Sequence, residues 1–319
     1  KLTIIGGLIV ALVSSQLTFL SYGTTARSAR FHGAGDRTAA VREGVQATWL
    51  AVGLGVLAVV VIQLVASPLV SAIAGGGDIA TAACRWLRIA ILAAPAILIS
   101  MAGNGWMRGV QDTARPLRYV LIGFVLSAVL CPLLVYGWLG LPRWELAGSA
   151  VANLVGQWVA ALLFIYALLS ERVPWRPDWP VLRRQIVMGR DLVVRTMAFQ
   201  ACFISAAAVA ARFGAAALAA HQVVLGLWTF LALVLDSLAI AAQSLVGAAL
   251  GAGDPAGAKR VAWRVTGFSL AAAAVLAVVL QAVVRVGSLD DMVRPYRRAR
   301  PDARVVTTNP WPDPVGARA

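Results

Sequence analysis

Charge is what this sequence has least of. Only 13% of its 319 residues are charged, against about a quarter in an ordinary globular domain, and acids are the scarcer half, with 14 Asp+Glu beside 28 Lys+Arg. That is too little polar surface to cover the one or two water-soluble domains this length would make. Cysteine and histidine are also scarce. Cys84, Cys131 and Cys202 are far apart and form no cluster with His32 or His221, which excludes a disulfide framework or zinc set and leaves the cysteines as small apolar filler. No nucleophile–base arrangement, Walker loop or dinucleotide fingerprint is present, so neither an enzyme nor ATP-driven transport by this chain is expected, and no cofactor or metal is called for.

What fills the space instead is 60% hydrophobic residues and a mean hydropathy of +0.79. A helix needs about 20 mostly apolar residues to cross a bilayer. Eight such runs are found, at roughly 1 to 24, 46 to 66, 82 to 107, 117 to 138, 144 to 169, 185 to 212, 218 to 250 and 258 to 286. They lack the inward–outward alternation of barrel strands. The pattern predicts an all-α polytopic membrane protein.

The positive charge has a direction. Loops after spans one, three, five and seven hold fifteen basic residues, among them Arg27, Arg30, Arg37, Arg42, Arg108, Arg115, Arg183, Arg184, Lys259 and Arg260, whereas the intervening loops hold four, Arg85, Arg88, Arg143 and Arg212. Because cytoplasmic loops retain Lys and Arg, the odd-numbered loops are assigned to the cytoplasm. The excess charge also predicts contact with anionic lipid headgroups. It is not interleaved with aromatics, so nucleic acid is not expected as a partner.

A short repeat runs through the chain. Gly33-Ala34-Gly35-Asp36 recurs as Gly251-Ala252-Gly253-Asp254, and at the same offset Ala40, Arg42 and Gln63 meet Ala258, Arg260 and Gln281. Glycine ends one helix and Asp caps the next, with Pro255 at the favoured first position. Span one then corresponds to span seven, which makes the unit six helices and the whole two six-helix bundles in parallel repeat. Eight of twelve helices are visible. Residues 1–170 form most of the first bundle without its first helix, 171–184 the cytoplasmic linker, and 185–286 the first three helices of the second bundle. Residues 287–319 form a basic, proline-rich tail that cannot span and is expected to be disordered. Lys1 lies within an apolar run and the tail breaks the pattern, so the expectation is a chain incomplete at both ends.

Polar side chains inside spans are costly and mark functional sites by default. Gln222, Thr229, Asp236 and Gln243 recur every seven residues along span seven and form one narrow stripe. Asp236, near mid-span, is the candidate for binding a coupling ion, H⁺ or Na⁺; the competing reading is a carboxylate permanently hydrogen-bonded to neighbouring helices. Asp191 and Arg195, four apart on span six, are placed to pair. Asn153 and Gln157, stepping by four with Ser149 on span five, either line a cavity or join helices, beside the small residues Gly148, Ala152 and Gly156; Gln200 on span six completes the candidate lining.

Two segments carry a resemblance. Arg108-Gly109-Val110-Gln111-Asp112-Thr113-Ala114-Arg115-Pro116-Leu117 resembles the segment after the fourth helix of the multidrug and toxic compound extrusion (MATE) family. Ala219-Ala220-His221-Gln222-Val223 with Leu235-Asp236-Ser237-Leu238 through Gly247 is similar to the eighth helix of its DNA-damage-inducible-F-type branch. The resemblance covers about residues 1 to 285 and implies a twelve-helix antiporter of the bacterial inner membrane. Such a protein expels small, often cationic organic compounds in exchange for H⁺ or Na⁺, and is expected to act as a monomer. Ser127 and Cys131 stand where relatives place an Asn and an Asp, which shifts attention to Asp236. A lipid-linked-saccharide flippase of the same superfamily and a non-functional fragment are the alternatives.

Overall fold

The computed structural model describes residues 19–74, 78–137 and 144–286; most of span one and the whole basic tail lie outside the described residues. Among the described residues the secondary structure is helical throughout. The helices are α1 (Phe19–Gly33), α2 (Arg37–Ala74), α3 (Asp78–Ala90), α4 (Ala94–Gly109), α5 (Ala114–Tyr136), α6 (Glu145–Ser170), α7 (Trp179–Arg212), α8 (Ala215–Gly251) and α9 (Pro255–Val286), with a 3₁₀ turn, Ile91–Ala93, joining α3 to α4. Among the described residues, seven segments are long and apolar enough to cross a membrane. Packing divides the chain into residues 1–266 and 267–319; the described part of the second unit is the remainder of α9.

Several helices extend beyond the predicted spans. α7 starts at Trp179 rather than 185, because Asp178 is extended (φ −110°, ψ 102°) and Pro180 occupies the first turn, where its missing N–H costs nothing. The linker is therefore only Glu171–Asp178, clamped by Gln46, whose Nε2 donates to the Arg176 carbonyl and whose Oε1 accepts from the Asp178 N–H, both at 2.8 Å.

The core lies within α1 to α6. Trp106, Met107, Phe164 and Leu168 pack with Val41 and Val45, while Leu20, Leu50, Leu98 and Ile99 form a second cluster. Between these apolar layers, glycine sets how closely backbones approach. Gly123 on α5 and Gly156 on α6 face each other; a methyl on Gly123 would meet the Gly156 carbonyl at 2.6 Å, and one on Gly156 the Gly123 carbonyl at 2.5 Å. Lipid supplies no hydrophobic drive between helices, so this small-residue contact, with Gly148 against Leu134, is what holds α5 to α6.

The repeat is reproduced bond by bond. In the first turn Ala34, Gly35 and Asp36 N–H groups donate to Arg30, His32 and Phe31; in the second Ala252, Gly253 and Asp254 donate to Ala248, Leu250 and Ala249. Gly35 and Gly253 take φ +79° and +72°, and Asp36 and Asp254 cap Ala39 and Gly257 at 2.9 and 2.7 Å. A third copy connects α4 to α5. There Val110, Gln111 and Asp112 donate to Trp106, Arg108 and Met107, Gln111 takes φ +64°, and Asp112 accepts from the Arg115 N–H.

Candidate coupling site

α1 and α8 cross beside these turns. A methyl on Gly33 would land on the Ala248 backbone, and one on Gly251 on the Arg30 backbone; between them, a methyl on Gly247 would meet the Ala29 Cβ at 2.9 Å. Gly33 and Gly251 are 218 residues apart, as are Arg30 and Ala248, and Ala29 and Gly247. Each contact is thus the image of the other, and Ala29–Gly247 sits on the local two-fold axis. The two repeat units meet through equivalent surfaces, as in an isologous interface.

The polar stripe of α8 divides at this crossing. Asp236 accepts a short hydrogen bond from the Tyr22 hydroxyl of α1. One heptad along, Gln243 Nε2 donates to the Tyr22 carbonyl at 3.1 Å, and the buried Ser244 hydroxyl donates to the Arg108 carbonyl at 2.7 Å. Arg108 and Arg195 are within electrostatic range of Tyr22, and Arg108 also of Asp236. Gln222 and Thr229 lie away from the crossing and are exposed; Thr229 bonds only its own helix, at the Leu225 carbonyl.

Other predicted residues are not drawn into this cluster. Asn153, Gln157 and Gln200 are part-exposed, with no hydrogen bond among the described residues. Asp191 does not pair with Arg195. It bonds the adjacent Arg190 instead, at 2.9 Å, because both side chains are exposed and the neighbour reaches the carboxylate first; Arg195 is itself exposed. Gly33, Gly35, Asp36, Gly251, Gly253 and Asp254 occupy their turns, and Gly33 and Gly251 additionally form the crossing. Among the described residues no group of three or more His, Cys, Asp or Glu side chains could hold a metal.

Tyr22 and Ser244 escaped the sequence reading. Tyr22 carries no spacing signal on its own helix, and Ser244 looks like one small residue among many. The repeat offset marks Gly33 and Gly251 as equivalent positions, but gives neither their contacts at the crossing nor the hydrogen bond between Tyr22 and Asp236.

Residues 3–133 and 192–286 match the MatE family model. The chain belongs to the MatE family. It is 31% identical over 265 residues to the DNA damage-inducible protein F of Escherichia coli (78% of this chain, 55% of that protein). It is also 34% identical over 235 residues to Protein DETOXIFICATION 44, chloroplastic, of Arabidopsis thaliana (72% and 44%). A MOP-superfamily transporter from Pyrococcus furiosus shares the fold, with a TM-score of 0.72 at 21% identity over 88% of this chain and 62% of that one. The chain thus spans about half the length of these MatE relatives. As a MatE protein it is a multi-pass membrane protein, and the Arg-Gly-Val-Gln-Asp-Thr segment that carried the resemblance is the third copy of the capped turn.

Proposed function

We propose that the chain serves secondary active export of small organic compounds, often cationic, in exchange for H⁺ or Na⁺ across a bacterial inner membrane. The observation that supports this most is the pseudo-symmetric α1–α8 crossing at the Arg-rich end. There α1 and α8 touch backbone to backbone, while the polar Gln222 and Thr229 stay exposed along α8. Alternating access needs two states that an ion can bias through differential affinity, and the Tyr22–Asp236 bond supplies a contact whose strength depends on the carboxylate. An ionised Asp236 accepts a charge-assisted hydrogen bond. A proton or Na⁺ arriving from the open side weakens that acceptor and so loosens the crossing, after which the ion is released to the other side.

The test is ion-driven efflux in proteoliposomes. Asp236→Asn is expected to bind a cationic dye normally but to lose export driven by a pH or Na⁺ gradient. Undiminished gradient-driven export would remove Asp236 from the coupling role.

A second reading, transport of anionic substrates such as lipid-linked saccharides, rests on Arg108 and Arg195 near Tyr22. Competition between cationic and anionic solutes in the same assay separates the two.

A further inference from the structure

A cavity of about 1200 Å³ opens at the Arg-rich end, between α1, α2, the linker and the start of α7. Five arginines line it: Arg27, Arg30, Arg42, Arg183 and Arg184. Its three acids are already taken. Glu43 pairs with Arg27 at 3.4 Å, Asp178 with Arg42 at 3.6 Å, and Asp191 with Arg190, which is outside the lining. Arg30, Arg183 and Arg184 have no carboxylate partner among the described residues; Arg184 spends only its Nε, on the Pro180 carbonyl at 3.2 Å.

The cations also crowd one another. Burial and the neighbouring Arg184 pull the Arg27 guanidinium below its usual pKa, against the opposing pull of Glu43. Arg183 and Arg184 stand in the second turn of α7, near the helix end whose dipole favours an anion. Beside the guanidinium groups the wall turns apolar, with Phe31, Val187 and Met188, and with Trp179, 68% exposed, an aromatic at the level where such rings meet lipid headgroups.

We infer that this cavity binds a phosphate-bearing anion, held in bidentate fashion by Arg30, Arg183 and Arg184. Guanidinium forks match phosphate oxygens in geometry and charge. The apolar wall favours a phospholipid of the cytoplasmic leaflet as its source over free phosphate. The inference goes beyond the transport reading and does not depend on which compound is exported.

Native mass spectrometry of the purified chain in mixed micelles tests it, with phosphatidylglycerol and phosphatidylcholine titrated separately and inorganic phosphate added as competitor. Arg30→Gln/Arg183→Gln is expected to weaken phosphatidylglycerol binding about tenfold, as the loss of charge-assisted bonds implies. Arg118→Gln/Arg264→Gln, which removes two exposed arginines outside the cavity, should leave it unchanged. Should the first pair fail to fold, Arg183→Gln alone, at an exposed position without an ion-pair partner among the described residues, is expected to weaken binding about threefold. Equal losses in both double variants, unchanged binding in Arg183→Gln, or phosphatidylcholine binding as tightly as phosphatidylglycerol would overturn the site. Displacement of the lipid by inorganic phosphate, dependent on Arg183, keeps the phosphate site and reassigns its source to the free anion.

Discussion

Asp236 shows how a single residue can be visible in sequence while its role is decided by a partner. The heptad spacing singled it out, yet the Tyr22 hydroxyl that defines its chemistry lies 214 positions away. Tyr22→Phe is expected to keep the fold and shift the conformational balance away from the closed crossing, read as a longer spin-label distance between α1 and α8; an unchanged distance would show that the bond does not hold the crossing. Glu171 offers a separate test. The Arg37 guanidinium, with Nη2 at 2.6 Å and Nε at 3.0 Å, holds the Glu171 carboxyl below the usual carboxylate range. A lowered folded-state pKa stabilises above the unfolded carboxylate's pKa and is lost as pH falls through the folded value. Because Arg37 is 58% exposed, the pair is worth only about 0.5 kcal/mol. Arg37→Ala should therefore remove a small acid-side decline in thermal stability, measurable as a flatter melting temperature below the carboxylate range.

At the scale of elements, the repeated turn and the α1–α8 crossing are one device. Asp36, Asp254 and Asp112 cap their helices alike, and Gly33 and Gly251, three residues before two of them, let α1 and α8 touch backbone to backbone. Two copies were legible because both use Gly-Ala-Gly-Asp. The third was not, since Gln111 takes the left-handed position that glycine holds elsewhere. A methyl at the crossing cannot be absorbed by a side-chain shift, because what it meets is backbone. Gly33→Ala or Gly251→Ala should cost about 1–3 kcal/mol of the closed arrangement, lowering the closed-to-open ratio about tenfold in spin-label distance measurements between α1 and α8. Gly35→Ala serves as the contrast. Its φ of +79° strains an alanine but nothing lies within 4 Å, so it should lower stability and leave the distances unchanged; an identical shift in both would refute the steric account.

For the whole molecule, the distribution of arginine predicts sidedness. The turns at Gly33–Asp36, Val110–Asp112 and Ala252–Asp254 and the linker at Glu171 are joined by direct contacts, among them Ser244 to Arg108 and Arg37 to Glu171, and so gather at one end. Cysteines replacing Ala34, Val110 and Ala252 should react with an impermeant maleimide only from the cytoplasmic side. One replacing Gly214, in the turn between α7 and α8, should react only from outside. Labelling of Ala34→Cys and Gly214→Cys from the same side would break the topology.

The helical spans from α2 to α9 and the paired Gly-Ala-Gly-Asp turns were legible in the sequence alone. Insertion into lipid is governed by the length of apolar runs and the position of basic residues, and both are one-dimensional properties of the chain. Lateral arrangement is not. In a bilayer, apolar side chains gain nothing from leaving lipid for one another, so contacts are chosen by backbone shape at small residues and by which polar groups find partners. That is why Asp191 met Arg190 rather than Arg195, why Tyr22 became the partner of Asp236, and why three arginines were left facing one cavity. Only the tertiary structure decided these.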